Sequence, residues 1–174
     1  MKLHLGCGKR ILEGYVNIDI QGVCDINADI SHLPYTDSSV SEIYACHVLE
    51  HFGRHEVMDV LSEWSRVLED GGSIYLAVPD IDSAISYYLK HGDLAPLYGQ
   101  FWGGQKDVYD YHKFGFTFKS LEGFLSRCGF ENASRYDTFS YLPKDFDDYS
   151  KSYLPHMDFS GHLLSLNVTA TKRK

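Results

Sequence analysis

The chain has 174 residues, 44% of them apolar and 23% charged, and carries a net charge of −8 from 16 Lys and Arg against 24 Asp and Glu. That length suits one domain, 1–174, with a real core, and the acidic balance excludes nucleic acid and anionic membranes as natural partners, because both call for a basic face. No apolar run approaches the ~20 residues of a membrane span, Met1-Lys2 leads straight into a strand pattern so that no signal segment is expected, and Cys7, Cys24, Cys46 and Cys128 are spaced like neither a disulfide framework nor a zinc ribbon, which suits a reducing cytoplasm.

In chain order, Leu3-His4-Leu5 reads as a short buried strand that runs into the turn Gly6-Cys7-Gly8, whose glycines let a ligand approach the backbone. Val16 to Ile20 is a second strand, with Asp19 at its tip, where an acid can accept hydrogen bonds from two ribose hydroxyls. Asp25 to Ile30 is a third, ending in Ala28-Asp29-Ile30, and Ile43 to Cys46 centres a fourth. His47 to His51 then runs into a helix whose clearest part has Val57, Val60, Leu61, Trp64, Val67 and Leu68 at helical spacing. Asp70-Gly71-Gly72 is expected to end it with a left-handed cap. Ser73 to Pro79 is a fifth strand with Ile74, Leu76 and Val78 on one face. Ser83 to His91 reads as a short helix and Ala95 to Gly104 as a shaped aromatic loop. Thr117 caps a helix lined by Leu121, Phe124, Leu125 and Cys128, and Gly129 closes it. A sixth strand is expected around Ala133 to Thr138, an acidic, tyrosine-rich connection over 139–162, and a last strand over Leu163 to Thr171.

Strands alternating with helices predict an α/β, Rossmann-like, mainly parallel sheet of about seven strands. Ligands bind such sheets beyond the carboxyl ends of the strands, where strand order reverses. At those ends lie Gly6-Cys7-Gly8, Asp19, Asp29, Cys46-His47 and Pro79-Asp80. The links from Gly8 to the second strand and from Ile20 to the third are shorter than the ~10–12 residues of a helical crossover, so the first crossover helices should be shortened or missing. One face of the sheet then needs another cover. Residues 81–116, residues 139–162 and a second copy of the chain are the candidates, with a homodimer favoured, and the two segments are also candidate substrate lids.

The order L-x-L-G-C-G, acid after the second strand, A-D-I-x-x-L-P, H-V-L-E-H, and R-V-L-x-x-G-G into A-V-P-D resembles a class I S-adenosylmethionine-dependent methyltransferase of the small type-11 group, closely over residues 3–80. The resemblance implies S-adenosylmethionine as cofactor. It implies that Leu5, Gly6, Cys7 and Gly8 lie along its methionine end, that Asp19, beside Ile20, holds the ribose hydroxyls, that Asp29 accepts from the adenine amino group with Ile30 against the ring, and that Cys46 and His47 line the methionine moiety through backbone groups. A nicotinamide-dinucleotide fingerprint fits worse, since it wants a third glycine where Ile11 stands and an acid ~20 residues on.

His47-Val48-Leu49-Glu50-His51 also matches the inverted zinc-peptidase pattern, in which two histidines four apart on a helix hold the metal. Its context, after a strand of a parallel sheet, does not suit that chemistry, and no metal site is expected. A separate reading has Glu50 as a favourable charge at a helix start. A sulfonium methyl is already a strong electrophile, so the protein has mainly to position a nucleophile. An oxygen nucleophile also needs a base, for which His47, His51 and His112 are the candidates. The expected function is methyl transfer to a small-molecule acceptor through an O or N nucleophile. A zinc-dependent hydrolase and a non-catalytic cofactor-fold subunit are the alternatives.

Overall fold

The computed structural model describes residues 1–174. Its strands are β1 (Lys2–Leu5), β2 (Val16–Asp19), β3 (Ile26–Asn27), β4 (Val40–Cys46), β5 (Leu68–Pro79), β6 (Phe130–Arg135), β7 (Tyr153–Leu154), β8 (His162–Leu163) and β9 (Ser165–Lys172). Seven form one sheet in the order β3-β2-β1-β4-β5-β9-β6, and β7 pairs with β8 apart from it. From β3 to β5 the neighbours are parallel, while β9 runs antiparallel to both β5 and β6. The expected α/β sheet is therefore present. The third strand is only two residues long, and the sixth begins at Phe130 rather than Ala133. Strand order reverses between β1 and β4, where Leu5 stands opposite Ala45, so the crevice expected of such a sheet opens beyond Leu5 and Cys46.

The helices are α1 (Val57–Val67), α2 (Ile81–His91), α3 (Tyr98–Trp102), α4 (Phe118–Arg127) and α5 (Thr138–Tyr141). The stripe of α1 is fully buried at Val57, Val60, Leu61, Trp64 and Val67, in one core with Leu3, Leu5 and Ile18. Burial of each such side chain contributes roughly 1.5–3 kcal/mol. The Trp64 indole N–H donates to the Ile30 carbonyl at 2.8 Å, and Glu63 accepts from the Leu33 amide at 2.7 Å, so α1 pins the loop after β3. The helix ends without the expected glycine cap: Leu68 is already extended, and Gly71, at φ 82°, makes a turn inside β5. The capped helix after Thr117 is present, with reciprocal Thr117–Ser120 bonds and Gly129 at φ 89° just past its end. The expected loop over 95–104 contains α3.

No helix occupies residues 6–15 or 20–25. The sheet face this leaves bare is not the apolar one that Leu3, Leu5 and Ile18 make, since those point at α1. It presents His4, Asn17, Tyr44 and Tyr75 instead. Asn17, 2% exposed, takes over a helix's work. Its carboxamide accepts from the Leu12 amide at 2.8 Å and pairs with His4 Nδ1 at 2.9 Å, and its nitrogen donates to Leu12 and Tyr15 carbonyls at 3.2 and 3.1 Å. The irregular 6–15 segment is thus tied to the sheet, with its backbone groups satisfied. The rest of the cover comes from the tyrosine-rich connection: Tyr141, Leu142 and Phe146 pack with Leu12, Tyr15 and Tyr44, and Tyr141 stacks on Tyr75 with ring centroids 3.8 Å apart. This face is closed within one chain, which removes the reason for invoking a second copy there. No helix is long and apolar enough to cross a membrane.

Candidate active site

Gly6 and Cys7 amides both donate to the Ile18 carbonyl, at 2.8 and 3.2 Å, which folds the chain back over the end of β2. Gly6 and Gly8 take φ of 65° and 55°. A Cβ on Gly6 would lie 2.2 Å from Val48 Cγ2, so glycine is required there both by conformation and by contact. Asp19 is drawn across this turn: Oδ2 accepts from the Gly8 amide at 2.8 Å and Oδ1 from the Gln21 amide at 3.1 Å. Asp29 Oδ1 accepts from the Ser31 amide and hydroxyl at 2.9 and 2.7 Å. The Ser31 hydroxyl holds the Asp29 carboxyl below its usual range, and Oδ2 is left for a ligand.

These groups border a cavity of about 710 Å³ at the carboxyl ends of β1 to β4. Of the residues expected to hold a cofactor, Gly6, Gly8, Asp19, Ile20, Asp29, Ile30 and His47 line it. Leu5, Cys7 and Cys46 do not. Leu5 is fully buried in the α1 core, and Cys7 is 3% exposed, with burial pushing its thiol up to about 12. Cys46 packs on the opposite face of the sheet, beside Tyr44 and Leu142, where burial raises its thiol well above the ordinary value. Alternation explains Leu5 and Cys46, because neighbouring side chains on a strand point to opposite faces, while Cys7 lies in the turn after β1. Asp80 caps α2 by accepting from the Ser83 amide at 3.2 Å and is not part of the cavity.

Of the three candidate bases, the cavity wall holds His47 and His51 but not His112. His47 sits at φ 52° and donates its backbone N–H to Ala77 at 2.7 Å. Its ring, 10% exposed, approaches Ser165 Oγ at 3.2 Å and Glu50 Oε1 at 3.4 Å. Burial, then the His112 and His51 rings, push its pKa down to about 3, so it is neutral. His51 Nδ1 lies 3.1 Å from the Tyr111 carbonyl, and His112 Nδ1 lies 3.0 Å from the Gln100 carbonyl, with burial lowering the His112 pKa. Glu50 is fully buried, and this pushes its carboxyl up to about 8. It is not a helix-start charge, because Leu49–His51 is a single 3-10 turn. For the same reason His47 and His51 do not share an α-helical face, and the zinc-peptidase pattern is not realised.

Sequence reasoning missed much of the far wall, where Lys106, Tyr109, Lys113 and Tyr149 close over the cavity. They come from the two segments singled out as candidate lids, but no periodicity marks the individual residues. Residues 113 and 114 are docked by their amides, which both donate to the Glu50 carbonyl at 2.8 and 3.2 Å.

Residues 3–76 match the methyltransferase domain family of type 11. This stretch, from β1 into β5 and including Gly6, Asp19 and Asp29, is where the chain is similar to that family. The fold agrees. A methyltransferase from Methanosarcina mazei superposes with a TM-score of 0.59 at 19% identity, covering 99% of this chain and 92% of that one. One from Archaeoglobus fulgidus gives 0.59 at 14% identity, covering 98% and 85%. Human N-acetylserotonin methyltransferase, solved in complex with S-adenosylmethionine, gives 0.52 at 13% identity, covering 86% of this chain and 33% of that one. No curated protein matches the sequence.

Proposed function

We propose that the cavity at the ends of β1 to β4 holds S-adenosylmethionine and that its methyl passes to the O or N nucleophile of a small molecule. The observation that carries this reading is the placing of two carboxylates, Asp19 and Asp29, on one cavity wall, each tied by backbone amides and each retaining lone pairs for a ligand. Asp19 accepts from the ribose hydroxyls and Asp29 Oδ2 from the adenine amino group, with Ile30 against the ring. Gly6 and Gly8 leave room for the methionine end, which extends toward His47. The methyl is then presented to the part of the cavity closed by His51, Tyr109 and Tyr149. An in-line nucleophile ~3–3.5 Å from the methyl carbon suffices there.

His51 is the histidine that meets the acceptor. A carbonyl only accepts, so Nδ1 carries the proton that it shares with Tyr111, and Nε2 presents a lone pair. His47, held near 3, is too weak a base for efficient proton removal at neutral pH. The four cysteines are all free, in keeping with a cytoplasmic location. The test has two parts. Titration with S-adenosylhomocysteine should show one site per chain. Incubation with methyl-labelled S-adenosylmethionine and a panel of small alcohols, phenols and amines should label at least one. Failure to bind S-adenosylhomocysteine would overturn the site assignment, and label entering only macromolecules would overturn the acceptor class.

A further inference from the structure

Glu50 is a fully buried carboxylate whose two oxygens have no hydrogen-bond donor. A buried acceptor left this way costs about 1–3 kcal/mol, more when charged. Instead of donors, histidine nitrogens face it. His51 and His112 both have Nδ1 against a main-chain carbonyl, Tyr111 at 3.1 Å and Gln100 at 3.0 Å. Carbonyls accept only, so in both neutral rings the proton is on Nδ1 and Nε2 is a bare lone pair. His112 Nε2 lies 3.8 Å from Glu50 Oε1. His47 repeats the arrangement: Ser165 Oγ donates to Asn167 at 3.0 Å, so it accepts from His47 Nε2, which leaves His47 Nδ1 as a lone pair 3.4 Å from the same oxygen.

Lone pairs converging on a carboxylate repel one another unless a proton or a cation lies between them. We propose that Glu50, His51 and His112 bind a divalent first-row transition cation through one carboxylate oxygen and the two Nε2 atoms. The ligand atoms of these three residues lie within 4.8 Å of one another. Ligand atoms ~2.0–2.2 Å from a tetrahedral cation are about 3.3–3.6 Å apart, so a small inward movement completes the geometry. A histidine ligand usually donates its other ring nitrogen to a carbonyl or carboxylate, which fixes its orientation, and both histidines do. Two imidazoles with one carboxylate suit zinc, iron(II), cobalt(II) or manganese(II) better than magnesium or calcium.

The site differs from the His47–His51 zinc pattern in two ways. Glu50 is a ligand rather than a base, and the third ligand comes from residue 112, brought in when the Lys113 and Phe114 amides dock on the Glu50 carbonyl. His51 also lines the cavity, so the site adjoins the place where the acceptor would sit. There an acceptor oxygen completes the shell, and the cation rather than His51, whose Nε2 is then a ligand, activates it, which points to a hydroxyl or carboxylate compound; this part rests on the methyl-transfer reading.

Metal-stripped protein titrated with cobalt(II) should take up one equivalent, with visible absorption bands that zinc(II) abolishes, and zinc(II) should raise the midpoint of thermal unfolding. Glu50→Gln, which keeps the shape of the buried side chain, and His112→Ala should each weaken binding at least 100-fold and lose the zinc-dependent shift. If His112→Ala does not fold, Glu50→Gln decides alone. Absence of stoichiometric uptake, or uptake undiminished in Glu50→Gln, would overturn the site in favour of a protonated Glu50 among neutral histidines. S-adenosylhomocysteine titrated into metal-stripped wild-type protein tests the cofactor reading separately, so the two can fail independently.

Discussion

Asp19→Ala should weaken S-adenosylhomocysteine binding by one to two orders of magnitude. An ionised carboxylate offers about four lone-pair positions. The Gly8 and Gln21 amides occupy one on each oxygen, at 2.8 and 3.1 Å, which leaves two for the two ribose hydroxyls. Hydrogen bonds to a charged acceptor contribute ~1.5–3 kcal/mol each. Asp19 is half-buried, so water replaces much of both in the variant. The net loss is then about 1.4–2.8 kcal/mol, which is a factor of about 10–100 in affinity. Two amides also lose their acceptor, but both face the open cavity and find water. Fold stability should therefore change little. Isothermal titration calorimetry on the wild type and the variant, with denaturation curves run in parallel, measures both quantities. Equal affinities in two well-folded proteins would place the ribose elsewhere and refute the reasoning.

Gly6→Ala should destabilise the fold by about 2–4 kcal/mol by chemical denaturation, combining the left-handed backbone of the glycine with overpacking against Val48; a loss under about 1 kcal/mol would mean that the turn relaxes freely. Asn17→Ala should cost about 2–4 kcal/mol, because it strips the buried Leu12 amide and carbonyl of their partners, and a neutral effect in the same measurement would show the 6–15 segment to be held by packing alone. Stability should fall as the pH drops below the ordinary histidine value of 6.5. Burial depresses the His4 pKa despite Asn17, Asp148 and Asp19, which pull it upward, so the unfolded chain takes up a proton that the folded one resists. The contribution is complete above 6.5 and is lost as the pH falls toward the depressed folded value. Denaturation curves of His4→Gln across that range should show a shallower decline than wild type.

The elements that rest on local chemistry were legible in the sequence. The β1 strand and glycine turn, the α1 stripe from Val57 to Val67 and the Thr117 cap are each written within about ten residues, because side-chain period, φ preference and capping are short-range effects. The cavity wall proposed for the cofactor was legible for a related reason. Parallel strands put their carboxyl ends on one edge, so Asp19, Asp29 and Gly6 converge once the strands are recognised. Only the tertiary structure decided which strand residues faced which way. The Leu5 and Cys46 side chains turn away from the cavity because strand alternation sends them into the α1 core and onto the tyrosine-covered face. It alone decided that Tyr141 and Leu142 replace the missing helices, since nothing periodic marks an irregular segment for a distant sheet face. The meeting of His112 with Glu50 and His51 lies furthest from sequence reading. It spans more than sixty residues and depends on two backbone amides docking on one carbonyl, and a backbone hydrogen bond between irregular segments leaves no trace in the identity of the residues that make it.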